Sequence, residues 1–156
     1  MKILGIDPGT VRVGYGIIEK RGRALKTIDC GIIGDKDKSA IERLAYIGTE
    51  IRALIKKHKP DLMGVERIYF SKNKKTAISV AEARGVIVFV AKSMGVPIME
   101  FTPSDIKSVV AGDRRCDKES LRRMVAITLG EKKIDGPDDI SDALAIAIRA
   151  SFDTPK

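Results

Sequence analysis

Acidic side chains at the ends of apolar runs are the residues of this sequence best suited to chemistry. Asp7 closes the opening run Met1-Lys2-Ile3-Leu4-Gly5-Ile6, and Pro8-Gly9 then turns the backbone sharply. An acid at the end of a buried strand needs a cation or a hydrogen-bond network to offset its lost hydration. Asp7 also fits a humbler part, capping its own turn. Leu62-Met63-Gly64-Val65-Glu66 is a second short apolar run that ends on an acid. Asp138, Asp139 and Asp142 fall in the opening turns of a third apolar element. Positions 139 and 142, or 138 and 142, share a helix face.

Acids near a helix N-terminus are stabilised there by roughly 0.3–1 kcal/mol, so one of Asp138 and Asp139 needs no further role. Several carboxylates converging without a cation would repel one another and shift upward in pKa. A set of oxygen ligands with no histidine suits paired Mg²⁺ or Mn²⁺ rather than zinc. Two such ions about 3.5–4 Å apart can bind the attacking and leaving oxygens of a phosphodiester.

The elements that must position these acids read as follows. Strands are expected to Asp7, over Val13–Glu19 and over Leu25–Ile33, an opening meander of two hairpins. Ser39 caps a long helix in which Ile41, Leu44, Ile47, Ile51, Leu54 and Ile55 recur at helical spacing, and Pro60 ends it. The strand to Glu66 follows. From Arg67 to Lys75 the periodicity breaks into a basic stretch with adjacent aromatics, Tyr69 and Phe70. A helix rich in small residues is expected over Thr76–Met94 and a fifth strand over Val96–Phe101. Thr102 opens a short helix, 112–117 is a loop, and Lys118–Leu129 is a further helix. The last helix starts at Gly136-Pro137, and its run 143–148 is apolar on nearly every face, hence buried. Three antiparallel strands followed by two parallel crossovers predict an α/β fold, a five-stranded mixed sheet flanked by helices. The strand ending at Glu66 can then lie beside the strand ending at Asp7.

The 156 residues suit one domain over 1–156, and 44% hydrophobic residues suffice for a core. The net charge of +8 and a pI near 9.6 point to a polyanionic partner, nucleic acid first. Cys30 and Cys116 have neither disulfide-framework nor metal-knuckle spacing. With no apolar run of spanning length, the expected setting is cytoplasmic, away from any membrane. The single histidine, His58, is read as a solvated helix end without a catalytic role.

Four blocks carry a family resemblance. Gly5-Ile6-Asp7-Pro8-Gly9-Thr10 with Gly14-Tyr15-Gly16, Val65-Glu66-Arg67-Ile68-Tyr69-Phe70 with Lys72-Asn73, Glu82-Ala83-Arg84-Gly85-Val86, and Asp139-Ile140-Ser141-Asp142-Ala143-Leu144-Ala145-Ile146-Ala147 stand in order along almost the whole chain. Together they resemble RuvC, the bacterial Holliday junction resolvase family. The resemblance implies an RNase H-like fold, a homodimer, and Mg²⁺-dependent nicking of two opposing strands of a four-way junction in recombination and repair. A branch-migration helicase complex is the implied further partner. Asp7, Glu66, Asp139 and Asp142 become the metal-binding catalytic acids, with Asp138 a neighbour. Lys118 matches a family lysine beside the active site and would stabilise charge on the phosphate.

The sequence departs from the family pattern at two places. The loop before Lys118, often glycine-rich, is Gly112-Asp113-Arg114-Arg115-Cys116-Asp117, which adds charge for phosphate contact. Tyr69 stands where phenylalanine is common, and either Tyr69 or Phe70 can stack on an unpaired base, Tyr69 being favoured by position. Lys72, Lys74, Lys75, Arg114 and Arg115 complete the expected DNA-binding set. Three other readings compete. The first is an actin-like or sugar-kinase phosphate module, which needs two lobes. The second is an RNase H-like nuclease for RNA–DNA hybrid or another DNA structure. The third is a basic binding protein with a dead site, against which the complete acid set argues.

Overall fold

The computed structural model describes residues 1–67 and 74–153, the side chains of residues 74–76 excepted. Its elements are β1 (Lys2–Asp7), β2 (Arg12–Arg21), β3 (Ala24–Gly34), α1 (Ala40–His58), β4 (Leu62–Glu66), α2 (Lys74–Ser93), β5 (Ile98–Phe101), α3 (Pro103–Ala111), α4 (Lys118–Leu129) and α5 (Asp138–Phe152). The sheet order is β3-β2-β1-β4-β5. β1, β2 and β3 pair antiparallel, whereas β4 pairs parallel to both β1 and β5. The mixed sheet expected from the sequence is therefore present, with β4 beside β1.

The sheet separates two cores. Leu4, Ile6, Val13, Ile17 and Met63 point to the layer of α1 and α2. Ile3, Ile18 and Leu62 point to the layer of α3, α4 and α5. Side chains alternate along a strand, so Gly5 and Asp7 follow Ile3 onto the α5 face, and Gly64 and Glu66 follow Leu62. The run 143–148 of α5 is fully buried, as its apolar character requires.

Glycine brings α5 down onto the sheet. A Cβ at Gly5 would overlap the Ala143 carbonyl oxygen, and one at Gly14 would overlap that of Asp139. At Gly16 and Gly64 a Cβ would press on Leu144 and Ile146. The helix backbone thus rests directly on β1, β2 and β4.

Several boundaries differ from the sequence reading. α2 begins at Lys74 rather than Thr76. β5 begins at Ile98 rather than Val96, because Gly95 is left-handed (φ 76°) and the Val96 amide still donates to Ala91 O. α5 begins at Asp138, with Pro137 at the position just before it rather than within the helix. Ile41, at helical spacing with the apolar stripe of α1, is 82% exposed because it precedes the part of the helix that meets the sheet.

His58 corrects a further expectation. It is the last residue of α1 and is buried, its Nε2 lying 2.9 Å from Asp29 Oδ2 on β3. The long β3 strand carries Asp29 beneath the end of α1, a contact with no local signal. Among the described residues no helix is long and apolar enough to cross a membrane.

Candidate active site

Strand alternation and the parallel register bring Asp7 and Glu66 together. β1 and β4 pair up to Ile6 with Val65, and the next residue of each strand is an acid facing α5. Across β1 and β2, Asp7 pairs with Gly14. Because Gly14 has no side chain, the first turn of α5 settles there and holds Asp139 and Asp142 over the same strand ends.

These carboxylates feel one another. Burial raises Asp7 from 3.8 to about 8, helped by the charges of Glu66, Asp142 and Asp139, while Lys118 opposes the shift. Burial raises Glu66 from 4.5 to about 7, with Asp142 adding to it and Lys118 again opposing. Asp142 is raised too, mainly by burial. Burial and mutual repulsion thus disfavour the ionised forms of Asp7, Glu66 and Asp142 alike.

The two candidates at the start of α5 have different partners. Asp138 is half exposed and lies 3.3 Å from Arg122 Nη1 and 3.5 Å from Lys118 Nζ. Asp139 is drawn to Arg12 Nη2 at 3.1 Å and adds to the repulsion on Asp7. Lys118, the first residue of α4, also stands 3.9 Å from Asp142. Asp117 caps that helix by accepting from the Ser120 amide at 2.7 Å, which fixes where Lys118 starts.

A cavity of about 200 Å³ opens beside the acids. Glu66, Asp142, Lys118 and Lys107 line it over a floor of Ile106 and Leu121. Lys107 and Arg12 were not singled out from the sequence. Lys107 follows the Thr102–Asp105 capping box by less than a turn, which was the available signal. Its Nζ donates to Cys116 O at 2.6 Å and pins the loop 112–117. Asp113 braces the same loop by accepting from the Arg115 amide at 2.9 Å. Arg114 and Arg115 stand exposed on that loop, outside the cavity lining. Tyr69, Phe70 and Lys72 lie outside the described residues, as do the side chains of Lys74 and Lys75.

The donor set is oxygen only. Among the described residues no three His, Cys, Asp or Glu side chains close into a cage for one ion. Such a set suits cations that keep several waters and accept substrate phosphate oxygens, which is the habit of Mg²⁺. Asp7, Glu66, Asp139 and Asp142 are the residues that could hold them.

A family model described as crossover junction endodeoxyribonuclease RuvC matches residues 3–150. The chain belongs to the RuvC family. It is 46% identical over 155 residues to the RuvC of Moorella thermoacetica, covering 97% of this chain and 92% of that one. To the RuvC of Halothermothrix orenii it is 45% identical over 149 residues, covering 95% and 90%. Among solved structures, Thermus thermophilus RuvC superposes with a TM-score of 0.88 at 29% identity, covering 97% of this chain and 94% of that one. The same RuvC in complex with Holliday junction substrate gives 0.90 at 28% identity, with 97% and 93% covered. The RNase H-like fold implied by the sequence blocks is thereby shown, and crossover junction endodeoxyribonucleases are this chain's relatives.

Proposed function

We propose that this chain is an endodeoxyribonuclease that resolves four-way DNA junctions by paired nicks in opposing strands, in recombination and repair. The observation that carries the reading is the meeting of Asp7, Glu66 and Asp142, each raised in pKa, beside the ammonium of Lys118. The family relationship and the junction-bound structure of a relative support the choice of substrate.

Asp7, Glu66, Asp139 and Asp142 would hold two Mg²⁺ ions, with Mn²⁺ able to substitute. When bound, the ions supply activation of water and stabilisation of charge at the leaving 3′ oxygen. The chain's own residues do the rest. The glycine-seated α5 fixes Asp139 and Asp142 against the strand ends. Lys118, at the cavity mouth, sets a positive charge beside the non-bridging phosphate oxygens, where charge develops during displacement. Lys107 holds the neighbouring loop and adds a second ammonium to the cavity. Asp138, occupied by Arg122 and Lys118, belongs to the rim rather than the metal set.

Lys72, Lys74, Lys75, Arg114 and Arg115 are proposed to bind backbone phosphates, and Tyr69 or Phe70 to stack on a base opened at the junction centre. One domain over 1–156 carries all of this, acting on cytoplasmic DNA alongside a branch-migration helicase complex.

Resolution needs two opposed cuts, so a two-fold homodimer is proposed, paired through α2. Ala83, Ile87, Val90 and Ala91 turn the inner face of α2 to the core. Its outer face leaves Ile78 65% and Phe89 69% exposed. Between them, a Cβ on Gly85 would meet nothing within 4 Å, so its own subunit does not require the glycine. A second helix lying close along this face would.

The deciding experiment offers a mobile four-way junction, linear duplex and RNA–DNA hybrid to the protein with Mg²⁺. Symmetric cleavage of the junction alone is expected. Preferential cutting of the hybrid would assign the site to a different RNase H-like nuclease.

A further inference from the structure

Neither metal nor DNA claims the block Glu82-Ala83-Arg84-Gly85-Val86, yet Arg84 reaches out of it toward the catalytic strand. The side chain is 22% exposed. Its Nε donates to the main-chain carbonyl oxygen of Glu66 at 3.3 Å, and its Nη2 pairs with Glu100 Oε1 on β5. The other Glu100 oxygen lies 3.6 Å from Arg67 Nε, and the Arg67 amide donates to Phe101 O at 2.8 Å.

This arrangement falls where the sheet gives out. Pairing of β4 with β1 ends at Val65, one residue before Glu66. Beyond that point the main chain is held from β5 and from Arg84. The Arg67–Glu100 pair is exposed and adds little by itself. The Arg84 fork differs, because one planar group satisfies a strand-end carbonyl and a carboxylate together. A lysine has a single point of charge and cannot reach both in that geometry.

We propose that Arg84 is a positioning residue for catalysis: its guanidinium clamps the end of β4 so that the Glu66 carboxylate is held in its productive place. The inference rests on reading Glu66 as one of the metal-holding acids. Displacing a reacting group by about 1 Å costs on the order of 100-fold in rate. Partners one layer out from a metal ligand contribute about 10–100-fold.

The test compares wild type, Arg84→Ala and Arg84→Lys in two measurements. The first is amide exchange by mass spectrometry on the metal-free protein. Peptides covering 62–67 are expected to exchange faster in both variants, with β2 and α5 unchanged. The second is single-turnover cleavage and junction affinity at saturating Mg²⁺. The cleavage rate should fall about 10–100-fold in Arg84→Ala, with junction affinity within two-fold of wild type and a higher half-saturating Mg²⁺ concentration. Arg84→Lys should recover less than half of the loss on a logarithmic scale. Unchanged exchange at 62–67, an unchanged rate, or full recovery by lysine would overturn the clamp. Faster exchange throughout the protein would reduce Arg84 to general packing and overturn it equally. If wild type fails to cut junctions, the functional reading fails, and the exchange measurement still decides whether Arg84 holds β4.

Discussion

The carbonyl oxygen of Asp139 occupies the space that a side chain at position 14 would fill. Gly14 also pairs with Asp7 across β1 and β2. One missing methyl therefore helps set how closely α5, which bears Asp139 and Asp142, lies on β2 beside Asp7. Gly14→Ala would force a backbone shift of α5, since a carbonyl cannot rotate away as a side-chain tip can. Overpacking of this kind costs about 1–3 kcal/mol. The variant should fold with a lowered Tm, and its cleavage rate should fall by more than its stability loss explains. Wild-type cleavage by a well-folded Gly14→Ala protein would show that the α5 seat tolerates movement.

Asp7→Asn and Glu66→Gln should abolish nicking while leaving junction binding largely intact. Binding draws on cationic side chains meeting phosphates, and its strength varies with salt. Turnover depends on ionised oxygen ligands. Gel shifts and nicking assays at one salt concentration separate the two. Near wild-type nicking by either variant would remove that residue from the metal set.

The raised acids give the stability a pH dependence of definite sign. Asp7 titrates near 8 and Glu66 near 7 in the folded chain, above their ordinary values of 3.8 and 4.5. Between those limits the folded state binds more protons than the unfolded one, so stability falls as pH rises. The metal-free protein should melt at a higher temperature at pH 6 than at pH 8, as far as this site is concerned. Divalent cations bind the ionised carboxylates and displace protons. The rise in Tm on adding Mg²⁺ should accordingly be larger at pH 8. Asp7→Asn should flatten both trends, which differential scanning fluorimetry can follow.

Asp138 and Asp139 should separate cleanly in kinetics. Asp138→Asn loosens its contacts with Arg122 and Lys118 at the rim and should change the cleavage rate only a few-fold. Asp139→Asn removes a charge felt by Asp7 and should lower the rate by orders of magnitude. A reversed order would move the metal ligand one residue toward the helix start.

Sedimentation at micromolar concentration should give about twice the chain mass of 17.0 kDa. Phe89→Lys, on the outer face of α2, should yield a monomer with normal secondary structure. A mixed dimer of wild type and Asp7→Asn should nick one strand and fail to resolve the junction. A monomeric protein making paired symmetric cuts would exclude the arrangement.

Much of this architecture was legible in the sequence because local patterns carried it. The apolar run closed by Asp7, the acid closing Leu62–Glu66 and the all-apolar run of α5 each announce an element. Contacts made across long sequence separations left no such trace. His58 looked solvated because nothing near it in sequence discloses Asp29. Arg12 was not singled out because its carboxylate partner, Asp139, comes from α5 at the far end of the sequence. The block around Arg84 was visible as a pattern, but its target, a main-chain carbonyl on β4, has no side-chain signature at all.

The acids of the site come from nearly opposite ends of the chain, Asp7 on the first strand and Asp142 on the last helix. During synthesis, β1 through β5 leave the ribosome while the sheet face destined for α5 is still bare, and with it the glycines that receive the helix. The proposed metal site is therefore incomplete until α5 docks on the sheet.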